Sequence, residues 1–284
     1  LYRNVRTEWS GGPLATNGAY GLYPVSSRNV TVDGCVAIGA SDAGIYVGQS
    51  INVVVKNCRA EYNVAGIEIE NCHEAEVFGC EATNNTGGVL VFDLPDLPQQ
   101  NGHNVRIYRN QIHGNNTANF APEGNIVGEV PRGMGILIQA SSHVEIFDND
   151  IGDNDTINIA IVTYGFETDD ENYYPHPRSI QIHGNRFGKS GYNPDLETGE
   201  LAKILYELSD GDMPHIFWDG IVPLPQILFG QPDEDKIILG DNGDASFLTI
   251  NALKYILPFF DPVDQNYDNY RGKIKPLSPV VFSD

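Results

Sequence analysis

The segment Gly44-Ile45-Tyr46-Val47 returns 22 residues later as Gly66-Ile67-Glu68-Ile69, and after a further 22 residues as Gly88-Val89-Leu90-Val91. A looser copy, Gly21-Leu22-Tyr23-Pro24, precedes them by 23 residues, and Gly135-Ile136-Leu137-Ile138 follows later. Alternating side chains are typical of a half-buried strand. A unit this short cannot bury its apolar face alone, so the repeat predicts a solenoid in which stacked coils cover one another.

A second kind of strand lies between the glycine-led copies. It also mostly alternates apolar and polar residues, and its copies are Asn4–Thr7, Asn29–Val32, Asn52–Val55, Glu74–Val77, Asn104–Ile107, His143–Ile146, Ser179–Ile182 and, in a weaker form, Lys236–Leu239. Two strands with their turns in each period indicate an all-β fold. We therefore predict a right-handed parallel β-helix with an irregular, partly helical C-terminal excursion and a cap.

Small or amide side chains recur six residues after the start of each of these strands. They are Ser10, Cys35, Cys58, Cys80, Asn110, Asn149, Asn185 and Asn242. Side chains at one position of successive coils stand about 4.8 Å apart, so this column predicts an internal ladder. The ladder accounts for three of the four cysteines without a disulfide or a metal. A second column, Asn63, Asn85, Asn116 and Asp155, is predicted in the turn that closes each coil.

The repeat divides the chain into two parts. Residues 1–191 are predicted to form the coils, and residues 192–284 an excursion, one further coil and a terminal cap. Within the excursion, residues 200–208 have helical spacing. A cap is expected because an uncovered solenoid end exposes strand edges. No comparable cap precedes Leu1, so we expect further coils or a cap of a parent chain at that end.

Charge excludes several classes of partner. The 284 residues carry 38 acidic against 17 Lys and Arg side chains, for a formal charge of −21. This charge opposes binding to nucleic acid, and it disfavours polyanionic sugars unless a local basic groove overrides it. No apolar run reaches the roughly 18 residues of a membrane span, so no membrane insertion is expected.

No cofactor is predicted to be required. The seven histidines show no ligand-like clustering. Calcium is a candidate ligand of the acidic loop within residues 165–178, through Glu167, Asp169, Asp170 and Glu171, although no ligand spacing specifies it. Solvated surface charge is the alternative interpretation of this loop.

The outward face of the glycine-led strands is the predicted ligand site. With Ile45 and Ile67 pointing inward, Tyr46 and Glu68 point outward, and aromatic rings beside carboxylates suit sugar rings. The predicted ligand-binding residues are Tyr20, Tyr23, Tyr46, Glu68, Glu70, Phe92 and Asp93. They lie beside two loops, 93–103 and 117–132, and side loops on a rigid scaffold commonly carry binding. Outward Tyr and Glu are also ordinary residues of a strand surface.

The segment Tyr20-Gly21-Leu22-Tyr23-Pro24-Val25, with the two coils that follow it, resembles the carbohydrate-binding and sugar-hydrolase class of right-handed β-helices. The similarity covers roughly residues 1–190 and extends distantly to the mannuronan C-5-epimerases. Those enzymes carry a Tyr-Gly-x-Asp-Pro-His motif with catalytic Tyr, Asp and His. Tyr20 and Pro24 match it, whereas Tyr23 stands at the Asp position and Val25 at the His position. The resemblance thus leaves Tyr20 as the candidate catalytic residue.

Three hypotheses follow. The leading one is a secreted or periplasmic β-helix that binds carbohydrate or a cell-surface polysaccharide without catalysis. The second is a polysaccharide lyase or epimerase in which Tyr20 and an unassigned base act on a sugar carbon acid. The third is a structural module of a larger surface protein or filament, which would assemble end to end and have no affinity for glycans.

Overall fold

The computed structural model describes residues 1–252, 254 and 259–282. Its strands are short and follow one another around the coils. In chain order they are β1 (Tyr2–Arg3), β2 (Arg6–Glu8), β3 (Arg28–Asp33), β4 (Val36–Ile38), β5 (Ala43–Gly48), β6 (Ile51–Lys56), β7 (Arg59–Glu61), β8 (Ala65–Glu70), β9 (His73–Phe78), β10 (Glu81–Thr83), β11 (Gly87–Phe92), β12 (His103–Tyr108), β13 (Gln111–His113), β14 (Met134–Gln139), β15 (Ser142–Phe147), β16 (Asp150–Gly152), β17 (Ile157–Val162), β18 (Arg178–His183), β19 (Arg186–Phe187), β20 (Ile216–Trp218), β21 (Ile237–Leu239), β22 (Phe247–Ile250) and β23 (Val263–Asp264).

The strands form three sheets, and each full coil contributes one strand to each sheet. Sheet A has the order β1-β3-β6-β9-β12-β15-β18-β21, sheet B has β19-β16-β13-β10-β7-β4-β2, and sheet C has β23-β22-β20-β17-β14-β11-β8-β5. The pairs are parallel except β22 with β23, which are antiparallel. This stacking confirms the predicted all-β parallel β-helix.

The repeat predicts the coils correctly, but the predicted number of two strands per coil is too low, because each full coil has three. The short strands of sheet B span two or three residues each. Three residues are too few to show the alternation that marks a strand in a sequence. The predicted copy at residues 4–7 is also misplaced, because Arg6 pairs with Val36 in sheet B. Its alternation fits sheet A and sheet B equally well.

The predicted ladder exists, with one error at its first member. Each member accepts a bond from the backbone N–H of the member in the coil before, as Asn149 Oδ1 does from Asn110 (3.0 Å). The column begins at Cys35 rather than Ser10, since Val5 occupies the equivalent place in the first coil. All four cysteines are free and buried, in agreement with a ladder role for three of them.

The second polar column is a ladder as well. Asn63 Nδ2 donates to Asn85 Oδ1 (2.9 Å), and Asn85 Nδ2 donates to Asn115 Oδ1 (2.9 Å). It continues through Asn115 and Asn154, so the predicted members Asn116 and Asp155 were each one residue too late. Neighbouring polar residues at both places made the two registers indistinguishable by residue type.

The apolar core has two compartments. The first fills the solenoid interior and contains the inward side chains of all three sheets, such as Val53 and Ile67. The second lies outside sheet C, where Tyr46, Leu90 and Leu137 pack against residues of the 117–132 loop and of the excursion. The predicted inward and outward orientation of sheet C is therefore correct, but much of its outward face is covered.

The excursion supplies helices and the last strands. It contains α1 (Glu200–Leu208), as the helical spacing predicted, and α2 (Leu224–Phe229). The described residues include two 3-10 helices, η1 (Ile126–Glu129) in the 117–132 loop and η2 (Tyr267–Tyr270) near the C-terminal end. Strands β20, β21 and β22 extend sheets A and C beyond residue 191. Tyr267 and Tyr270 pack on Phe247, at this end of the interior core.

Among the described residues, no helix combines the length and apolar character needed to cross a bilayer.

Candidate functional site

A cluster of three tyrosine rings stands at the N-terminal end of sheet C. The rings of Tyr20 and Tyr23 stack with centroids 4.3 Å apart, and those of Tyr23 and Tyr46 with centroids 5.0 Å apart. The stacking follows from the coil register, because Leu22 pairs with Ile45 and so places Tyr23 directly above Tyr46. We call Tyr20, Tyr23 and Tyr46 the tyrosine cluster.

The cluster depends on a close approach of two coils at Gly21. A Cβ atom at this position would lie 2.5 Å from the carbonyl oxygen of Gly44 and 2.7 Å from Thr7 Oγ1. Real Cβ contacts are longer, so only glycine lets this segment lie flat on the coil below. Tyr20 directly precedes Gly21, and the same constraint therefore holds the Tyr20 ring in place.

Carboxyl groups lie directly behind the rings. The hydroxyl of Tyr46 donates to Glu70 Oε1 at 2.5 Å, and Gln49 Nε2 donates to the same oxygen at 2.8 Å. Tyr20 hydrogen-bonds to Asp42. Asn125 of the 117–132 loop donates to Asp42 Oδ2 at 3.3 Å. The hydroxyl groups of Tyr20 and Tyr46 are thus each anchored by a carboxyl group.

The predicted ligand-binding residues differ in how far their side chains are exposed to solvent. Tyr23 is 50% exposed and Tyr20 is half-buried, whereas Tyr46, Glu68, Glu70 and Phe92 are buried. The predicted open stripe along sheet C is therefore accessible only at Tyr20 and Tyr23. The reason is the cover over the rest of the face, where Val127 and Val130 of the 117–132 loop are themselves buried.

The buried carboxyl groups favour their neutral forms. Burial raises the pKa of Asp42 to about 6, partly offset by the hydrogen bond from Tyr20. Burial and then the nearby charges of Glu70 and Asp42 raise the pKa of Glu68 well above its usual value, and burial also raises that of Glu70. In the described part of the chain, no lysine or arginine is among the groups that shift these three values.

The tyrosine hydroxyls are weak acids here. Burial and then the charges of Asp42 and Glu68 raise the pKa of Tyr20, and burial and Glu70 raise that of Tyr46. A phenolate is disfavoured at both positions because it would stand against carboxylates in a poorly solvated place. Both tyrosines therefore serve as hydrogen-bond donors and as apolar ring surfaces at neutral pH.

A polar cavity of about 290 Å³ adjoins the cluster. Gln49 joins the two, since it lines the cavity and donates to both Tyr46 and Glu70. Other lining residues are Ser26, Ser27, Arg28 and Gln99. An exposed aromatic ring beside hydroxyl, amide and guanidinium groups presents the two kinds of contact that a sugar ring requires.

Phe92 and Asp93 lie in other surroundings. Phe92 lines an apolar cavity of about 310 Å³ between sheet C, the 117–132 loop and α1. Asp93 Oδ1 accepts the N–H of Gly102 (2.8 Å), and burial raises the pKa of Asp93 to about 6. Asp93 thus closes the base of the 93–103 loop, whose Gln99 lines the polar cavity.

Two residues of the site escaped the sequence analysis, Asp42 and Gln49. Asp42 lies just before a glycine-led strand, where the next two coils carry Val64 and Thr86. A single acidic residue in an otherwise uncharged column was the available signal. Gln49 lies at a corner with φ of 46°, where no pattern of strand alternation applies.

The four carboxylates of the acidic loop do not come together at one point. Asp170 accepts bonds from the side chain of Gln100 and from the N–H of Asn172, while Glu167, Asp169 and Glu171 are exposed. Within residues 1–252, 254 and 259–282, no group of three or more His, Cys, Asp or Glu side chains is arranged to hold a metal ion. Calcium binding at this loop stays a prediction.

Comparison with known proteins agrees with the fold. The family model described as "Right handed beta helix region" matches residues 5–96. The A-module of a mannuronan C-5 epimerase from Azotobacter vinelandii superposes with a TM-score of 0.51 at 15% identity, over 84% of this chain and 53% of that one. An alginate lyase from a Paenibacillus species gives a TM-score of 0.47 at 11% identity, over 84% of this chain and 75% of that one. No curated protein sequence matches the chain.

The three sheets, the two ladders and the family match define the class, and the chain is a right-handed parallel β-helix protein. It spans about half the length of the epimerase module, and at 15% identity the likeness extends to the fold alone.

Proposed function

We propose that the protein binds a carbohydrate polymer across Tyr20 and Tyr23 and in the adjoining polar cavity. The observation that supports this most is the stacked, half-exposed pair of Tyr20 and Tyr23, which packs on Tyr46, whose hydroxyl accepts from Gln49 in the wall of the cavity. Ring faces cover the C–H patches of a sugar, while amide and hydroxyl groups bond its hydroxyls. Because polysaccharides of the cell surface are the ligands, we place the protein in the extracellular space or the periplasm.

Neutral polymers are the preferred ligands under this proposal. Asp42, Glu68 and Glu70 stand behind the rings, and the chain as a whole carries a formal charge of −21. A polyanionic glycan would be repelled by the negative charge of the chain. Arg28 in the cavity is a single local cation against this field.

The binding proposal is tested by Tyr23→Ala, which removes the most exposed ring of the cluster. We expect the variant to lose about tenfold or more in affinity for the best-bound polymer of a panel of neutral and uronic-acid polysaccharides, assayed with and without calcium. Isothermal titration calorimetry or affinity electrophoresis gives the measurement. Tyr206→Ala is the matched control, since Tyr206 is 41% exposed on α1, outside the cluster.

Two outcomes contradict the proposal. Equal binding by wild type and Tyr23→Ala would place the sugar elsewhere on the molecule. No binding of any polymer would leave the structural module of a larger surface protein or filament as the better account, and end-to-end assembly would then be measured by light scattering.

A polysaccharide lyase or epimerase is the second candidate function, favoured by the hydrogen bond between Tyr20 and Asp42. Abstraction of a proton α to a carboxylate needs a base, and the raised pKa of Tyr20 opposes a tyrosinate in that role. We therefore expect from every polymer of the panel neither an unsaturated sugar product, measured as ultraviolet absorbance, nor a change in epimer composition, measured by nuclear magnetic resonance. Turnover that Tyr20→Phe abolishes would replace the binding proposal by the enzymatic one.

A further inference from the structure

A basic cavity lies at the C-terminal end of the solenoid, on the outer face of sheet A. Its volume is about 420 Å³, and its charged lining residues are Lys236, Arg271, Lys273 and Lys275 with one acidic residue, Asp233. The chain has only 17 Lys and Arg side chains against 38 acidic ones, so four cations around one cavity run against the composition. The feature lies far along the chain from the tyrosine cluster and belongs to a different sheet.

The backbone around this cavity is held in place from both sides. Arg271 pairs with Leu239 of β21 and so adds one more rung to sheet A. Gly272 follows, and a Cβ there would lie 3.1 Å from Ile238, so glycine lets the chain pass close over β21. At Lys275 the N–H donates to Gln181 Oε1 (2.5 Å), and the carbonyl accepts from Gln181 Nε2 (2.8 Å).

The four cationic side chains of the cavity differ in whether they form an ion pair with a carboxylate. Lys236 Nζ lies 2.6 Å from Asp233 Oδ1, and Arg271 Nε lies 2.5 Å from Asp268 Oδ1. In the described part of the chain, neither Lys273 nor Lys275 forms an ion pair with a carboxylate. Lys275 lies near enough to Asp233 to help Lys236 lower the pKa of that carboxyl. The two lysines thus place ammonium groups without a direct ion pair on a fixed backbone, beside the guanidinium of Arg271.

A second, smaller cavity adjoins the first. It has a volume of about 210 Å³ and shares Lys236, Lys275, Asp233 and Ile238 with the basic cavity. Lys236 and Lys275 therefore stand between two spaces, and a ligand with more than one charged group can contact them from either side. The outward side chain of Ile238 gives both spaces an apolar floor.

From these observations we infer that the cavity lined by Lys236, Arg271, Lys273 and Lys275 is a binding site for a small ligand bearing oxyanion groups. Phosphate and carboxylate oxygens accept from lysine ammonium groups, and the Arg271 fork can bond two oxygens of one such group. The volume is that of a small-molecule site and accommodates an anionic sugar or inorganic phosphate. The site does not depend on the proposed glycan site.

The test uses isothermal titration calorimetry of the whole chain at constant ionic strength, with three probes. Inorganic phosphate and glucuronate each carry an oxyanion, and glucose is the neutral probe. We expect saturable binding of at least one anion and none of glucose, with an affinity that falls as sodium chloride is raised. Comparison of phosphate with glucuronate shows which oxyanion the site prefers.

Variants assign the binding to the cavity. Lys273→Ala combined with Lys275→Ala is expected to weaken the anion affinity about tenfold or more. Lys189→Ala combined with Lys203→Ala is the matched control, because both lysines lie outside the cavity and the change in net charge is the same. Lys273→Arg with Lys275→Arg is expected to retain binding.

The inference is overturned if wild type binds neither anion up to about 10 mM. It is also overturned if glucose binds as well as glucuronate, or if the alanine pair in the cavity binds like the control pair. Circular dichroism of each variant establishes that the solenoid is intact.

Discussion

Glu68 is a buried acid in an otherwise uncharged column of sheet C. It is 1% exposed, and in the two following coils Leu90 and Leu137 hold the same place in sheet C. Its Oε2 atom has no hydrogen-bond partner in the described part of the chain. A buried polar atom left without a partner costs roughly 1–3 kcal/mol. The residue therefore lowers stability where its own column shows that leucine fits.

We expect Glu68→Leu to raise the free energy of unfolding by about 1–3 kcal/mol at pH 8. The measurement is urea denaturation followed by circular dichroism. Glu76→Leu is the contrasting variant, because Glu76 is also buried but bonds Arg106, and its loss leaves that charge with only the longer contact to Glu145 (3.4 Å). A destabilised Glu68→Leu would show that Glu68 has a partner in solution. Stabilisation with loss of glycan affinity would mark Glu68 as retained for function.

At the scale of the element, the ladders connect the coils by side-chain amides in addition to the strand pairs. Asn149 accepts from the N–H and the side chain of Asn110, and it donates to Asn185 and to the carbonyl of Ile107. Every polar atom of its amide is thus in use inside the protein. In the thiol part of the ladder, Cys58 makes longer contacts, with Sγ 3.4 Å from the N–H of Cys35.

Asn149→Ala is expected to destabilise the protein by about 3 kcal/mol or more, because several buried partners lose their bonds together. Cys58→Ala is expected to cost clearly less, about 1 kcal/mol, because a thiol is a weak donor and acceptor. Both values come from chemical denaturation at one pH. Equal costs for the two variants would contradict an energetic role for the amide bonds and leave packing alone as the explanation.

For the whole molecule, the buried acids govern how stability depends on pH. The pKa values of Asp42, Asp93 and Asp219 are each raised by burial from 3.8 to about 6. Between these values the native state holds more protons than the unfolded state, so the free energy of unfolding falls as the pH rises. Burial lowers the pKa values of several histidines. These histidines make the free energy of unfolding rise with pH just below pH 6.5, which opposes the effect of the acids.

We expect the carboxyl groups to dominate, because their shifts are large and the growing negative charge adds repulsion in the same direction. The free energy of unfolding should fall between about pH 4 and pH 6, and the raised pKa of Glu68 should extend the fall to higher pH. Urea denaturation at pH 4.5, 6 and 8 measures this. Asp93→Asn keeps an acceptor for Gly102 and should reduce the fall, and a rise in stability over the same window would contradict the argument.

The solenoid is predictable from the amino-acid pattern alone. Coils pair with the coils directly before and after them, so the requirement that fixes each inward side chain recurs about every 22 residues and is visible as a period. The ladder of Cys58 and Asn149 and the outward orientation of Tyr46 were predictable for that reason. The predictions were wrong where too few residues repeat to show a period, as in the short strands of sheet B and in the first coil.

The solvent exposure of the outward face of sheet C and the grouping of charged side chains depend on the tertiary fold. The 117–132 loop and α1 have no repeat, so nothing in the period could show that they cover Glu68 and Phe92 and leave Tyr23 exposed. The basic cavity likewise joins Lys236 to Lys275 across nearly forty residues of irregular chain. Such contacts depend on where an aperiodic segment packs, which is a property of the whole fold.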